Sequence, residues 1–270
     1  MADNRPIGVF DSGLGGLTVV KEIIKELPNE NIVYFGDTGR VPYGNRSVDT
    51  IKKYALEDER FLLTHNVKLI VAACGTVSSV ASDTAKQLPV PFFEVVSHAC
   101  KSAVETTKNG RIAVIGTAAT VSSGQHKAEI LKINPNASVI TCACPLFVPL
   151  VEEGWYKKDD TVVLETVKRY LDPVIDFGAD TLILGCTHYP ILSDAISFVL
   201  GSSVKLINAG TATARAVSEY LKQKDIQNDV GGKHNFFVSD KPEFFKGQAT
   251  ILLQREIDES FVQKVDINNL

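Results

Sequence analysis

The chain has 270 residues, 44% of them hydrophobic and 22% charged, with a formal net charge of −4. That length suits two compact lobes better than one, and the composition can bury a core in each. The acidic balance, with no dense run among its 28 Lys and Arg, argues against a nucleic-acid surface.

No apolar segment approaches the roughly 18 residues of a membrane span, and MADNRPIG does not read as a signal peptide. The expected compartment is the cytoplasm. Five cysteines (Cys74, Cys100, Cys142, Cys144 and Cys186), an odd number in a reducing compartment, are then thiols and not a disulfide framework.

Taken in order, Pro6 to Phe10 predicts a short strand, broken at Asp11-Ser12-Gly13, with a helix from about Gly15 to Leu27. Asn31 to Phe35 predicts the next strand, ending in the polar loop Gly36 to Gly44. An amphipathic helix over Ser47 to His65 leads to the strand Leu69 to Ala73, which runs into Cys74, Gly75 and Thr76. Acidic residues Glu57-Asp58-Glu59 read as a solvated face of that helix. Pro91 to Val96 predicts a strand, with Ser97 capping the helix after it.

At Arg111 the pattern restarts. Ile112 to Ile130 repeats the layout of Ile7 to Ile23: a four-residue strand, a turn of small and hydroxyl residues, then an amphipathic helix. Each copy is followed by a strand ending in cysteine, the second being Thr181 to Leu184, then Gly185, Cys186, Thr187 and His188. We read two similar α/β halves related by an approximate two-fold axis, each giving one cysteine to a shared cleft. After a helix (Ile191 to Leu200), a strand (Val204 to Ile207), a helix (Thr211 to Lys222) and a polar loop (Lys224 to Lys233), the last elements have no counterpart in the second half. They are expected to return to the first. The expected lobes are residues 1–96 plus 208–270, and 97–207.

A helix N-terminus and polar neighbours lower a thiol from about 8.5 toward neutrality, where it serves as base when ionised and acid when protonated. Two such thiols across one carbon remove a proton from one face and deliver one to the other. That inverts a stereocentre, and nothing in the sequence points to a cofactor. His188 can hold the proton of Cys186, and Asp11 can do the same on the other side. Ser12, Gly13, Thr76, Thr117, Thr120 and Thr187, with the backbone N–H groups of their turns, suit a carboxylate.

Bland readings compete with these. A buried cysteine is more often packing than catalyst, and Cys100, Cys142 and Cys144 are taken as packing. A zinc site from Cys142, Cys144, Cys186 and His188 has one-residue spacers where structural zinc uses two to four, so no metal site is expected. Gly13-x-Gly15-Gly16 lacks the full dinucleotide fingerprint. His65, His126 and His234 read as surface or packing residues.

DSGLGG at Asp11 to Gly16, GDT followed by VPYG at Gly36 to Gly44, the Cys74 turn, GTAAT at Gly116 to Thr120, PLVE at Pro149 to Glu152 and GCTHYP at Gly185 to Pro190 together resemble the glutamate racemases of the aspartate/glutamate racemase family. The resemblance implies two flavodoxin-like α/β/α domains with mostly parallel sheets and an active site between them. It implies interconversion of L- and D-glutamate for peptidoglycan without a cofactor, in a protein that forms homodimers. Cys74 and Cys186 are then the acid/base pair, with Cys74 acting on the D-isomer, assisted by Asp11, Glu152 and His188. Ser12, Pro42, Tyr43, Gly44, Thr76 and Thr187 would hold the substrate. PLVE favours Glu152 over its neighbour Glu153.

The chain departs from that pattern at three places. Gly75 stands where the family has Asn, Ser97-His98-Ala99 where it has E-P-G, and His126 where it has an aromatic residue. A lost amide contact costs about 1–3 kcal/mol if a polar group is left unpaired, so Gly75→Asn is expected to restore glutamate turnover if that contact matters. Two alternatives follow: a racemase or isomerase for another amino acid such as aspartate, or a non-catalytic amino-acid-binding protein on the same scaffold.

Overall fold

The computed structural model describes residues 2–253 and 261–267. Chain order begins β1 (Ile7–Asp11), α1 (Leu17–Glu26), β2 (Ile32–Gly36), α2 (Val48–Thr64), β3 (Leu69–Ala72), α3 (Gly75–Val80), β4 (Phe92–Glu94) and α4 (Val95–Thr106). The second half holds β5 (Arg111–Gly116), α5 (Ala118–Ser122), α6 (Gln125–Ile133), β6 (Ser138–Ala143), α7 (Phe147–Glu152), α8 (Thr161–Phe177), β7 (Thr181–Leu184), α9 (Ser193–Leu200) and β8 (Lys205–Asn208). It closes with α10 (Ala209–Lys224), β9 (His234–Val238), α11 (Pro242–Leu253) and β10 (Val262–Lys264).

Among the described residues the strands form two all-parallel sheets. The six-stranded one runs β10-β9-β2-β1-β3-β4 and the four-stranded one β6-β5-β7-β8. The order β2-β1-β3-β4 recurs as β6-β5-β7-β8, so the repeat seen in sequence is a repeat of topology. Parallel strands need crossover helices and are covered on both faces, which is why β1, β3 and β7 are buried throughout and apolar but for Asp11 and Thr181 at their ends. Alternate residues feed opposite faces. Ile7, Val9, Leu69 and Val71 pack with α1, α10 and α11, whereas Phe10, Ile70 and Ala72 pack with α2. In the second sheet Ala113, Ile115, Leu182 and Leu184 face α7, α8 and α9, and Ile112, Val114 and Ile183 face α4 and α6.

Two sequence expectations change. Glu94, not Ser97, caps α4: its carboxylate accepts the N–H groups of Val96 (2.6 Å) and Ser97 (2.8 Å). Asp58 and Glu59 are not solvated but wholly buried, because Ile51, Ala55, Asp58 and Leu62 form one stripe at helical spacing and that stripe faces the sheet. Of the two readings left open for His126, surface or packing, the structure shows packing: it is 3% exposed behind Gly185. His65 packs between the rings of Phe61 and Phe237, as a packing residue should. No helix among the described residues is long and apolar enough to cross a membrane.

Candidate active site

The carboxyl ends of β1, β3, β5 and β7 carry the turns singled out in the sequence, and their residues meet around a cavity of about 220 Å³. Ser12, Pro42, Tyr43, Gly44, Cys74, Gly75, Thr76, Thr117, Glu152, Cys186, Thr187 and His188 all line it. Asp11 and Thr120 stand one layer behind. Thr120, 2% exposed, takes a hydrogen bond from Thr117 Oγ1 (3.0 Å) and fixes that hydroxyl, while Thr117 Oγ1 lies 3.2 Å from Thr76 Oγ1. The lining side chains that carry charge are Glu152 and His188, with no Lys or Arg beside them. An anionic ligand would therefore be held by hydroxyls and backbone N–H groups.

Each cysteine has its own surroundings. Cys74 precedes the first turn of α3, and its Sγ donates to Ser12 Oγ at 3.6 Å. Burial, followed by the nearby Asp11 carboxylate, pushes this thiol up to about 12. That reverses the lowering expected from the helix terminus: α3 is a six-residue helix, and desolvation outweighs its dipole. Cys186 instead lies 3.9 Å from His188 Nδ1, and His188 Nε2 lies 3.3 Å from Glu152 Oε1 in an ion pair. Burial opposes a charged imidazole, yet the Cys186 sulfur and the Glu152 carboxylate together push His188 up to about 10. At neutral pH a protonated imidazole thus sits beside Cys186. Glu153, left open by the sequence, is exposed.

Asp11, at the end of β1, is 1% exposed. Its Oδ2 accepts the Gly13 N–H (2.9 Å) and its Oδ1 lies at 3.5 Å from Thr187 Oγ1, across the cleft. Burial raises this carboxyl, against the pull of the His188 charge. Thr187 O accepts from Thr18 Oγ1 on α1 at 2.8 Å, so the Cys186 turn is tied to the first sheet's helix.

The matching family model is described as Asp/Glu/Hydantoin racemase and covers residues 7–217. The chain belongs to that family. A glutamate racemase from Geobacter metallireducens is 46% identical over 244 residues, spanning 89% of this chain and 90% of that one. Among solved structures, the glutamate racemase isoform RacE1 of Bacillus anthracis superposes with a TM-score of 0.93 at 36% identity, covering 98% of both chains. The Francisella tularensis glutamate racemase in complex with D-glutamate gives 0.91 at 37% identity, covering 99% of this chain and 100% of that one.

The family's glycine-rich turn has a steric reason in this chain. A Cβ at Gly15 would stand 2.2 Å from Thr187 Oγ1 and 2.6 Å from His188 Nδ1, so only glycine lets the first turn approach the Cys186 turn. At Gly75 the approach is between backbones: a Cβ there would stand 2.3 Å from Gly185 O and 3.8 Å from Cys186 Cα. The space that a family Asn would fill is occupied here by the opposite turn.

Seven lining residues were given no role from the sequence: Asn45, Pro145 and Val148, which lie outside the quoted motifs, and Val41, Ala118, Pro149 and Gly185, which lie within them. Tyr34, also unanticipated, donates its phenol to Gly13 O (2.7 Å) and fixes the Ser12 turn from the next strand. Asn45 and Val41 flank the PYG motif and were within reach of it. Val148 immediately precedes the PLVE motif on α7, so it was within reach of that motif too.

Proposed function

We propose that this chain interconverts L- and D-glutamate by a two-thiol mechanism, with Cys74 and Cys186 on opposite faces of the substrate Cα. The observation that carries the proposal is one cavity lined by both thiols, each from a different sheet and each with its own proton partner. Its relatives named as glutamate racemases, and the Francisella structure with D-glutamate, support the choice of substrate. For L-glutamate, the Cys186 sulfur takes the Cα proton, leaving a carbanion. Cys74, held as a thiol by burial, delivers its own proton to the other face. The D-isomer runs the same steps in reverse, with Cys74 as base.

Asp11, His188 and Glu152 assist by managing charge and protons at the two sulfurs. Ser12, Thr76, Thr117 and Thr187, with the backbone N–H groups of Tyr43 and Gly44, hold the carboxylates; Pro42 packs against the substrate, and Thr120 supports Thr117. Lobes of residues 1–96 plus 208–270 and 97–207 close on the substrate. We assign the product to peptidoglycan synthesis in the cytoplasm and the working state to a homodimer, which sedimentation would test.

Proton NMR of L-glutamate in deuterated water, followed alongside circular dichroism, tests the chemistry. The Cα proton signal should disappear as optical activity decays. Cys186→Ala should lose at least about a hundredfold in turnover while keeping its fold, since general acid–base groups contribute about 10²–10⁴-fold. Undiminished turnover in that variant refutes the mechanism, and exchange on aspartate but not glutamate would replace the substrate.

A further inference from the structure

The loop that carries Pro42, Tyr43 and Gly44 to the cavity is held from beneath by groups that do not line it. Arg40 Nε lies 2.5 Å from Asp37 Oδ2, its other nitrogens reach Glu57 and Asp58 (3.2 Å to Asp58), and its guanidinium covers the Tyr54 ring at 4.0 Å. The Tyr43 phenol donates to Asp37, and Asp58 Oδ2 lies 3.1 Å from the same oxygen. The Asp37 and Asp58 side chains are both 0% exposed.

Burying two carboxylates against one guanidinium is costly in desolvation, and apolar residues of the same volume usually fill such space with less penalty. What the arrangement does supply is direction. A planar guanidinium with three carboxyl acceptors, and a phenol set between two of those carboxyl groups, leaves the loop one orientation. Asp58 belongs to α2, so the loop's pose is referred to a helix packed on the sheet that bears Cys74.

We infer that Asp58 and Arg40 are positioning residues: they fix the pose of the 39–45 loop and through it set affinity for the substrate. The inference takes the identity of the ligand, glutamate, from the function proposed above. Asp58 and Arg40 act through the loop and not at the sulfurs, so their loss removes binding common to ground and transition states.

The test is Asp58→Asn in the full chain. KM for L-glutamate should rise about tenfold with kcat within about twofold, the loss of one charged hydrogen bond. Amide exchange in the ligand-free protein should also speed by about tenfold at Arg40 and Arg46, whose N–H groups close the loop onto Asp37 O and Tyr43 O. Arg40→Lys, at a partly exposed position, keeps the charge but loses the fork, and should show the same pair of changes even if the Asp58 variant does not fold. Unchanged exchange overturns the inference, as does an unchanged KM or a fall in kcat at constant KM. If the wild-type chain does not racemise glutamate, the proposed function fails instead, and the exchange comparison alone decides the positioning role.

Discussion

At Gly75, one missing methyl group decides how near the Cys74 and Cys186 turns come. A side chain there has to displace the Gly185 carbonyl, which is backbone fixed by the Gly185 N–H bond to Ile115 O (2.8 Å). Moving that turn moves Cys186, and a misplacement of about 1 Å at a reacting group costs on the order of a hundredfold. We therefore expect Gly75→Asn to lower kcat/KM for glutamate by at least about tenfold. This is the opposite of the gain that the missing amide alone would predict. Steady-state racemisation rates decide between the two, and a gain would show that the turns part readily. The same reasoning separates the cysteines: Cys74 is held protonated by burial, while Cys186 has a charged imidazole beside it. Equivalent positions in a repeat do not have equivalent chemistry.

Helix α2 shows how one element serves fold and site together. Ser47 starts it by accepting the Thr50 N–H (3.3 Å), and its inner stripe presents Asp58 to the 39–45 loop. Glu59, on the next position, is buried with Oε1 accepting from Thr84 Oγ1 (2.6 Å) and Oε2 without a hydrogen-bond partner. Burial pushes its carboxyl from 4.5 up to about 7. A carboxyl whose folded value lies above its unfolded value costs nothing while protonated in both states, and its penalty grows as pH rises from 4.5 through 7. Glu59→Gln should therefore leave stability nearly unchanged at acid pH and raise it at pH 8 by up to about 3 kcal/mol. Denaturant midpoints at the two pH values measure this; an equal gain at both would mean that ionisation is not the cause.

Across the whole molecule, distant segments are joined by a buried ion pair. Lys68, just before β3, lies 2.6 Å from Glu30, with side chains 0% and 2% exposed. Its ammonium also donates to Asp3 O and Ile226 O, both at 2.9 Å, and Glu30 Oε1 accepts the Asn228 N–H at 2.8 Å. The chain start, the edge of β3 and the segment after α10 meet at this one cation. Lys68→Met should cost about 3–5 kcal/mol, because Glu30 is left buried and uncompensated. Adding Glu30→Leu should recover a large part of that loss in urea unfolding, whereas a double variant no better than the single would place the effect in the carbonyl contacts. The Thr18 and Asp11 contacts to Thr187 act on the same scale, tying the Cys186 turn to the other sheet.

The sequence by itself determined the strands and what stands at their ends. Ile7 to Phe10, Leu69 to Ala72 and Thr181 to Leu184 are buried on both faces, so each is written as an unbroken apolar run, and the turn after it is visible as a change of composition. It also marked both cysteines and most of the lining residues, many of which lie in the turns that follow strand ends. Edge strand β6 is only partly buried and α8 contains Pro173, so neither announced itself. Only the tertiary structure decided that Asp58 and Glu59 point inward, that Glu152 and not Glu153 meets His188, that Cys74 is raised rather than lowered, and that Gly75 touches Gly185. Strand runs and turns depend on neighbours along the chain. Desolvation and close approach depend on residues more than a hundred positions away, such as Gly185 for Gly75, and no local pattern records them.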